Sequence, residues 1–370
     1  MNKKITYFGI LRSITSWAKI SREMISSLLS IGADVNIYER KGFLFDNKFP
    51  LNYSIKTKIT NQFKGDVVFT FEHPRTYDYL PPHCFKIGFL VYEFTVLPQG
   101  WVERINRYLD WVIVPSQFCK RVFKNCGVAQ HKIKVLRYGF NPDYYFPRDK
   151  KLPRNTDFTF LCIANPHKRE GIELLLRSFT QAFTKQDKVK LVLKLTYRPT
   201  KTIKIFEYKN FNGLLNSYLE KRNAPLIQVI DTQLTERQMG SLYRNSHCYF
   251  SLSRAEAFGL CFLEALACGL PVVSVRWGGS TDFLNKQNAR FIKHTLVPAN
   301  QEVYEKINKA ETETALIALP DVNQAAETMY NMYYKRQDSV MQKCSLHPNP
   351  HYFWWSTIAK EFLDLLSKIL

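Results

Sequence analysis

Short apolar runs alternate with amphipathic stretches along almost the whole chain. KKITYFGI reads as a strand, SWAKISREMISSLLSIG as a helix with one apolar stripe that stops at Gly32, and ADVNIYE as a second strand, which together predict a βαβ unit. DVVFTF, FKIGFLVYEF and LDWVIVPS follow; such short apolar runs, bounded by turn residues and charges, are expected of buried parallel strands. A polar segment punctuated by Pro147 and Pro153, Tyr144 to Asp157, reads as an interdomain linker. A second series then starts at DFTFLCIAN and runs through KREGIELLLRSFTQAF, VKLVLKL, LIQVID, LTERQMGSLYRN and HCYFSLS to PVVSV, and FWWSTIAKEFLDLLSKIL closes as an amphipathic helix. Two α/β series predict two doubly wound domains, residues 1–148 and 149–352, with the closing helix at about 353–370.

Composition changes this picture little. The 370 residues exceed one ordinary core of roughly 100–150 residues, and 45% hydrophobic content supports folding throughout. Arg12 cuts the first apolar run short and no small-residue cleavage site follows, so the opening reads as a strand and not as a secretory leader. No run of about 18 apolar residues predicts a membrane span. Eight cysteines, without C-x-x-C spacing, read as buried thiols of a reducing cytoplasm.

The net charge of +20 is spread along the chain: residues 1–150 hold 23 basic and 12 acidic side chains, the remainder 29 and 20. Trp111 to Pro142 stands out, with Lys120, Arg121, Lys124, Lys132, Lys134 and Arg137 and no carboxylate. Its basic helix face is either ordinary solvated surface or a contact for anionic lipid or a phosphorylated acceptor, placing the chain at the inner face of a membrane. Nothing in the sequence has the pattern of a nucleic-acid-binding module.

The chemistry concentrates in SLSRAEAFGLCFLEALACGLPVVSVRWGGSTDFL, residues 251–284. A strand ends, an acidic loop follows, and Gly259 opens a helix, the kind of strand-to-helix edge where open α/β sheets bind ligands. The N–H groups of Phe258, Gly259 and Leu260 are candidate donors to a diphosphate or a sugar hydroxyl. Glu256 lies on the loop and Glu264 on the helix, and each carboxylate can accept from two vicinal hydroxyls. Taken singly, either would pass for an ordinary loop or surface acid.

E-A-F-G-L-C-F-L-E-A-L-A-C-G-L-P-V-V resembles the E-x(7)-E signature of the retaining glycosyltransferase family 4, with Ala257 where glycine is usual and Cys261 where proline is usual. The similarity continues in YEFTVLPQGWVERINRYLDWVIVPSQFCKRVFKNCGV, KIKVLRYGFNPDYYFP and WGGSTDFL. The resemblance implies a GT-B fold, two Rossmann-like α/β domains facing across a cleft, with the closing helix packed back on the first. It also implies hexose transfer from a nucleotide sugar, GDP- or UDP-linked, to a hydroxyl of a glycan or lipid-linked acceptor, with no cofactor and no metal. Glu256 would contact the donor hexose and Glu264 the nucleotide ribose.

Two departures matter. The family's arginine and lysine for the diphosphate fall on Ala164 and Glu170, so Lys168, Arg169 and Lys194 are the candidate replacements. The family's histidine at a central N-terminal strand has Tyr92 and Glu93 in its place, with Glu93 a candidate base for the acceptor hydroxyl; His73 and His83 are weaker candidates. The missing cations also leave open a catalytically impaired sugar-binding or scaffold protein.

Overall fold

The computed structural model describes residues 4–40, 49–149, 152, 156–196, 211–299, 314–335 and 349–368. They form two compact units, one of Met1–Asn141 with His351–Leu370 and one of Pro142–Pro350.

The first unit is built on β1 (Ile5–Gly9), α1 (Ser16–Ser30), β2 (Val35–Glu39), the single turn α2 (Tyr53–Lys56), β3 (Val67–Thr70), β4 (Phe85–Phe89), α3 (Trp101–Tyr108), β5 (Trp111–Val114), α4 (Gln117–Asn125) and β6 (Ile133–Val135). Its six strands are parallel, in the order β2-β1-β3-β4-β5-β6. Strands β1, β3 and the inner part of β4 are buried, which is why they read as unbroken apolar runs. Thr15 starts α1 by accepting the Ala18 N–H with its hydroxyl.

The helix Trp355–Ser367 completes this unit. Phe362 is fully buried against Phe69 and Phe89, each at 5.4 Å between ring centroids, a burial that contributes about 1.5–3 kcal/mol. Arg137 forks onto Glu361 at 2.8 and 2.7 Å, and the Phe140 N–H donates to the Phe353 carbonyl.

The basic stretch therefore divides. Lys132 donates to the Asn106 and Leu109 carbonyls, Lys134 lies over the Trp111 ring and Arg137 holds Glu361, whereas Arg121 and Lys124 of α4 are exposed. Phe118, Cys119, Val122 and Phe123 form the buried face of α4.

The second unit contains β7 (Phe158–Ala164), α5 (Ile172–Ala182), β8 (Val189–Leu195), α6 (Phe211–Leu219), β9 (Leu226–Ile230), α7 (Glu236–Arg244), β10 (Cys248–Phe250), α8 (Leu260–Ala267), β11 (Val272–Val275) and β12 (Ala289–Ile292). Its parallel sheet runs β12-β11-β10-β7-β8-β9, and Phe160, Phe179, Phe183 and Phe250 are central in its core. β13 (His294–Pro298) and β14 (Leu316–Pro320) form a separate antiparallel pair that the sequence pattern did not predict.

The segment read as a linker begins packed on this unit. Tyr145 is buried, its hydroxyl donates to Glu236 at 2.5 Å and its ring meets Tyr243. The seven described cysteines are free thiols, and Cys344 lies outside the described residues. Among the described residues no helix is long and apolar enough to cross a membrane.

Candidate functional site

In each sheet the chain reverses its direction of travel between two neighbouring strands, β1 and β3 in the first unit and β7 and β10 in the second. Loops leaving the carboxyl ends of such strands diverge and leave room for a ligand. In the second unit these loops are the turn after β7, whose residues Lys168–Glu170 form a 3₁₀ turn, and Ser251–Phe258 after β10.

Several contacts fix the loop that carries Glu256. The Arg169 guanidinium donates to the Ala255 carbonyl at 2.6 Å, and the Arg169 carbonyl accepts the Arg254 N–H at 2.8 Å. Arg254 also exchanges hydrogen bonds with Ala318 of β14, giving its Nε–H to the Ala318 carbonyl at 3.0 Å and accepting the Ala318 N–H at 2.8 Å. From the opposite side the Gly279 N–H donates to the Glu256 carbonyl at 2.7 Å. Gly278 allows that approach: its φ is +88°, and a Cβ there would lie 2.4 Å from the Glu256 carbonyl oxygen. Glu256 itself is half-buried between buried Ala255 and Ala257.

Gly259 caps α8 with a left-handed φ of +91°, and a Cβ there would press on the Phe262 ring at 2.7 Å. Among the described residues the N–H groups of Gly259 and Leu260 meet no backbone carbonyl, which leaves them directed out of the helix end as donors. The Phe258 side chain is buried beside Phe283, so this residue can offer a ligand its backbone and not its ring.

Glu264 is not a surface acid. It is 3% exposed and accepts a hydrogen bond from the buried Tyr243 hydroxyl at 3.0 Å. Tyr243 was not among the residues singled out from the sequence, because α7 shows only amphipathic spacing there. Lys194 closes β8 as a buried ammonium that donates to the Leu195 carbonyl. Burial depresses its pKa, while Asp231 and the half-exposed Cys261 oppose that shift. Lys168 is half-buried in the turn after β7.

Arg169 is engaged with protein groups. Besides Ala255 it grips Glu170 at 2.6 Å, and both side chains of that pair are close to one-tenth exposed. The geometry makes it a holder of the Glu256 loop, in contrast to the expectation of a cation presented to a diphosphate.

In the first unit Tyr92 is buried, its ring packed on Phe94 and Trp101 and its carbonyl accepting the Cys119 thiol at 3.4 Å. Glu93 beside it is half-buried. The sequence reading missed Glu72, which follows β3 in FTFEHP. Glu72 is 5% exposed, accepts the Ile10 N–H at 2.9 Å and pairs with Arg40 at 3.2 Å. Burial lifts its carboxyl above the ordinary value, against the pull of Arg40 and the Ile10 N–H. An acid at the end of an apolar strand was the available signal. His73, next in the chain, accepts the Arg75 N–H on Nδ1 at 3.2 Å, and burial, with Arg75 and Arg104 nearby, lowers its pKa to about 4. It is therefore neutral at ordinary pH.

Among the described residues no group of three or more His, Cys, Asp and Glu side chains is placed to hold a metal ion.

Residues 146–327 match the family model described as glycosyl transferases group 1. The fold is that of the GT-B glycosyltransferases. The Anabaena protein Alr3699/HepE, solved in complex with UDP and glucose, superposes on this chain with a TM-score of 0.68 at 15% identity, covering 99% of this chain and 100% of that one. A probable sucrose-phosphate synthase of Thermosipho melanesiensis is 24% identical over 237 residues, 64% of this chain and 48% of its own length. The alpha-1,3/1,6-mannosyltransferase ALG2 of Mus musculus is 25% identical over 207 residues, 50% and 47% respectively. The chain spans about half the length of the curated relatives it matches. The matching family model and these relatives are of glycosyltransferases, and the matched segment includes Arg169, Glu256, Gly259 and Glu264.

Proposed function

We propose that this glycosyltransferase moves a hexose from a UDP- or GDP-linked donor to a hydroxyl of a glycan or lipid-linked acceptor, with retention of anomeric configuration and without a covalent enzyme intermediate. The observation that carries this reading is the pairing of Glu256, on a loop fixed from both sides, with Glu264, held by Tyr243, around the open N–H groups of Gly259 and Leu260. Glu256 takes the donor hexose hydroxyls, Glu264 the ribose, and the helix end the diphosphate. Lys168 and Lys194 supply countercharge to the departing diphosphate in place of a metal, and charge-assisted hydrogen bonds of this kind contribute about 1.5–3 kcal/mol each. The leaving phosphate takes the acceptor proton on the face where it departs. The UDP and glucose bound by the Anabaena protein and the transferase name of the mouse relative support a nucleotide-sugar donor. We place the enzyme in the cytoplasm, where exposed Arg121 and Lys124 meet anionic headgroups of a membrane carrying the acceptor.

The test is hydrolysis and transfer of a panel of UDP- and GDP-sugars by purified protein in the presence of EDTA, with product anomers read by NMR. Glu256→Ala is expected to lower kcat by about a hundredfold or more; equal turnover by the variant rejects the assignment. One observation favours a second reading: Ala164 and Glu170 stand where the resemblance implies cations, and Arg169 is held by Glu170 and Ala255. Donor binding without turnover across the acceptor panel supports a sugar-binding or scaffold protein instead.

A further inference from the structure

We infer that Arg169 and Glu170 form a clamp that positions Glu256, so that the register which would hold a diphosphate cation here holds the donor-site loop. The inference rests on the reading of this loop as the donor site. Glu170 is buried and takes the Nη2–H of Arg169 at 2.6 Å, which turns Nη1 onto the Ala255 carbonyl, also at 2.6 Å. The Ala255 carbonyl belongs to the peptide group that leads into Glu256. With the Arg254 N–H on the Arg169 carbonyl at 2.8 Å, the turn after β7 takes hold of the loop after β10 at two consecutive residues. These are the loops that diverge at the reversal of the second sheet, where nothing in the strand ladder ties them together. A charged fork between two carbonyl-rich loops supplies that tie, and the buried acid keeps the fork from turning toward solvent.

The clamp makes a prediction opposite to that of the chain's resemblance to its relatives. Installing the cation, Glu170→Lys, adds positive charge near the donor diphosphate, yet it removes the acid that orients Arg169 and sets two cations side by side in a buried place. Binding of UDP and of GDP to the full chain is measured by calorimetry for the parent, Glu170→Lys, Glu170→Gln and the exchanged pair Arg169→Glu/Glu170→Arg. Hydrogen exchange of the segment 252–258 is followed in the unliganded proteins. Glu170→Lys is expected to weaken binding of the nucleotide the parent prefers by about tenfold or more, and Glu170→Gln by less. The exchanged pair restores the ion pair but leaves no donor for the Ala255 carbonyl, and is expected to stay impaired. In all three variants the segment 252–258 exchanges faster, while β8 keeps its protection, which separates release of the loop from loss of the fold. Nucleotide binding by Glu170→Lys as tight as the parent's, or unchanged exchange in 252–258, overturns the clamp. A parent that binds neither UDP nor GDP overturns the reading of the donor site and the clamp's role with it. A parent that binds while Glu170→Lys binds equally overturns the clamp alone.

Discussion

The two sheets solve one problem with opposite polarity. At the reversal point of the first unit an acid grips an N–H, Glu72 on Ile10, and an arginine, Arg40, steadies the acid. At the reversal point of the second an arginine grips a carbonyl, Arg169 on Ala255, and an acid, Glu170, steadies the arginine. Both clips join loops that leave neighbouring parallel strands, β1 and β3 or β7 and β10, where ladder hydrogen bonding has ended. A doubly wound sheet opens a crevice there by construction, and the same divergence leaves its loops without support. A buried Arg–Glu pair restores rigidity without filling the crevice with side chains. Such pairs are costly to desolvate, so their value lies in orientation more than in net stability.

The largest loss is expected in the second unit, on the side of the Glu256 loop opposite Arg169. Gly278→Ala forces a Cβ to within 2.4 Å of the Glu256 carbonyl oxygen at a φ of +88°. That φ, with a ψ of −166°, is a backbone region kept almost wholly to glycine, and entering it alone costs an alanine about 1–3 kcal/mol, a fall in melting temperature of about 2–12 °C, and the clash displaces Glu256 as well. We expect nucleotide binding to drop below detection while hydrogen exchange of Ile10 in the first unit is unchanged. Retained binding shows that the Gly279 contact does not matter to the loop.

Lys194→Met has a smaller expected effect. It removes a buried ammonium whose pKa burial depresses, and if Lys194 reaches the donor, calorimetry should record UDP or GDP affinity about tenfold weaker at little change in melting temperature. Unchanged affinity with a higher melting temperature assigns the ammonium to the Leu195 carbonyl alone.

The smallest effect tests the first clip. Tyr7, Tyr77, Arg40 and Arg75 surround Glu72, and its raised pKa means that the folded chain binds this proton more readily than the unfolded chain. The stability it contributes is full below the unfolded carboxylate value and declines as pH rises through the lifted one. Glu72→Gln lacks that decline. The melting temperature of the variant minus that of the parent should therefore increase from about pH 4 to about pH 7, and a decrease contradicts the assignment.

How far the sequence could be read follows from the distance over which each feature acts. The alternation of apolar runs and amphipathic stretches located both sheets, and the elements around Gly259 were legible because they are contiguous in residues 251–284. The clips were not legible. Ile10 and Glu72 are 62 residues apart and Arg169 and Ala255 are 86 apart, and no local pattern says which carbonyl a guanidinium will choose. Nearness to the vacant family positions made Arg169 a candidate for a ligand, whereas the buried Glu170 holds it on protein groups. Taken singly Glu264 could be a surface acid, and its burial shows only once Tyr243, from another helix, is placed against it. The basic run suffered the same loss of information: three of its cations satisfy groups within the first unit that sequence proximity does not reveal.

The helix Trp355–Ser367 belongs to the unit that also contains β1, although the whole second unit separates them in the chain. During synthesis the faces of Phe69 and Phe89 that Phe362 covers stay uncovered until the ribosome has made residues 355–367. The inserted unit, being contiguous, can mature first. The unit begun before the other is thus sealed after it, and its apolar flank is the surface a nascent-chain chaperone would have to guard in the interval.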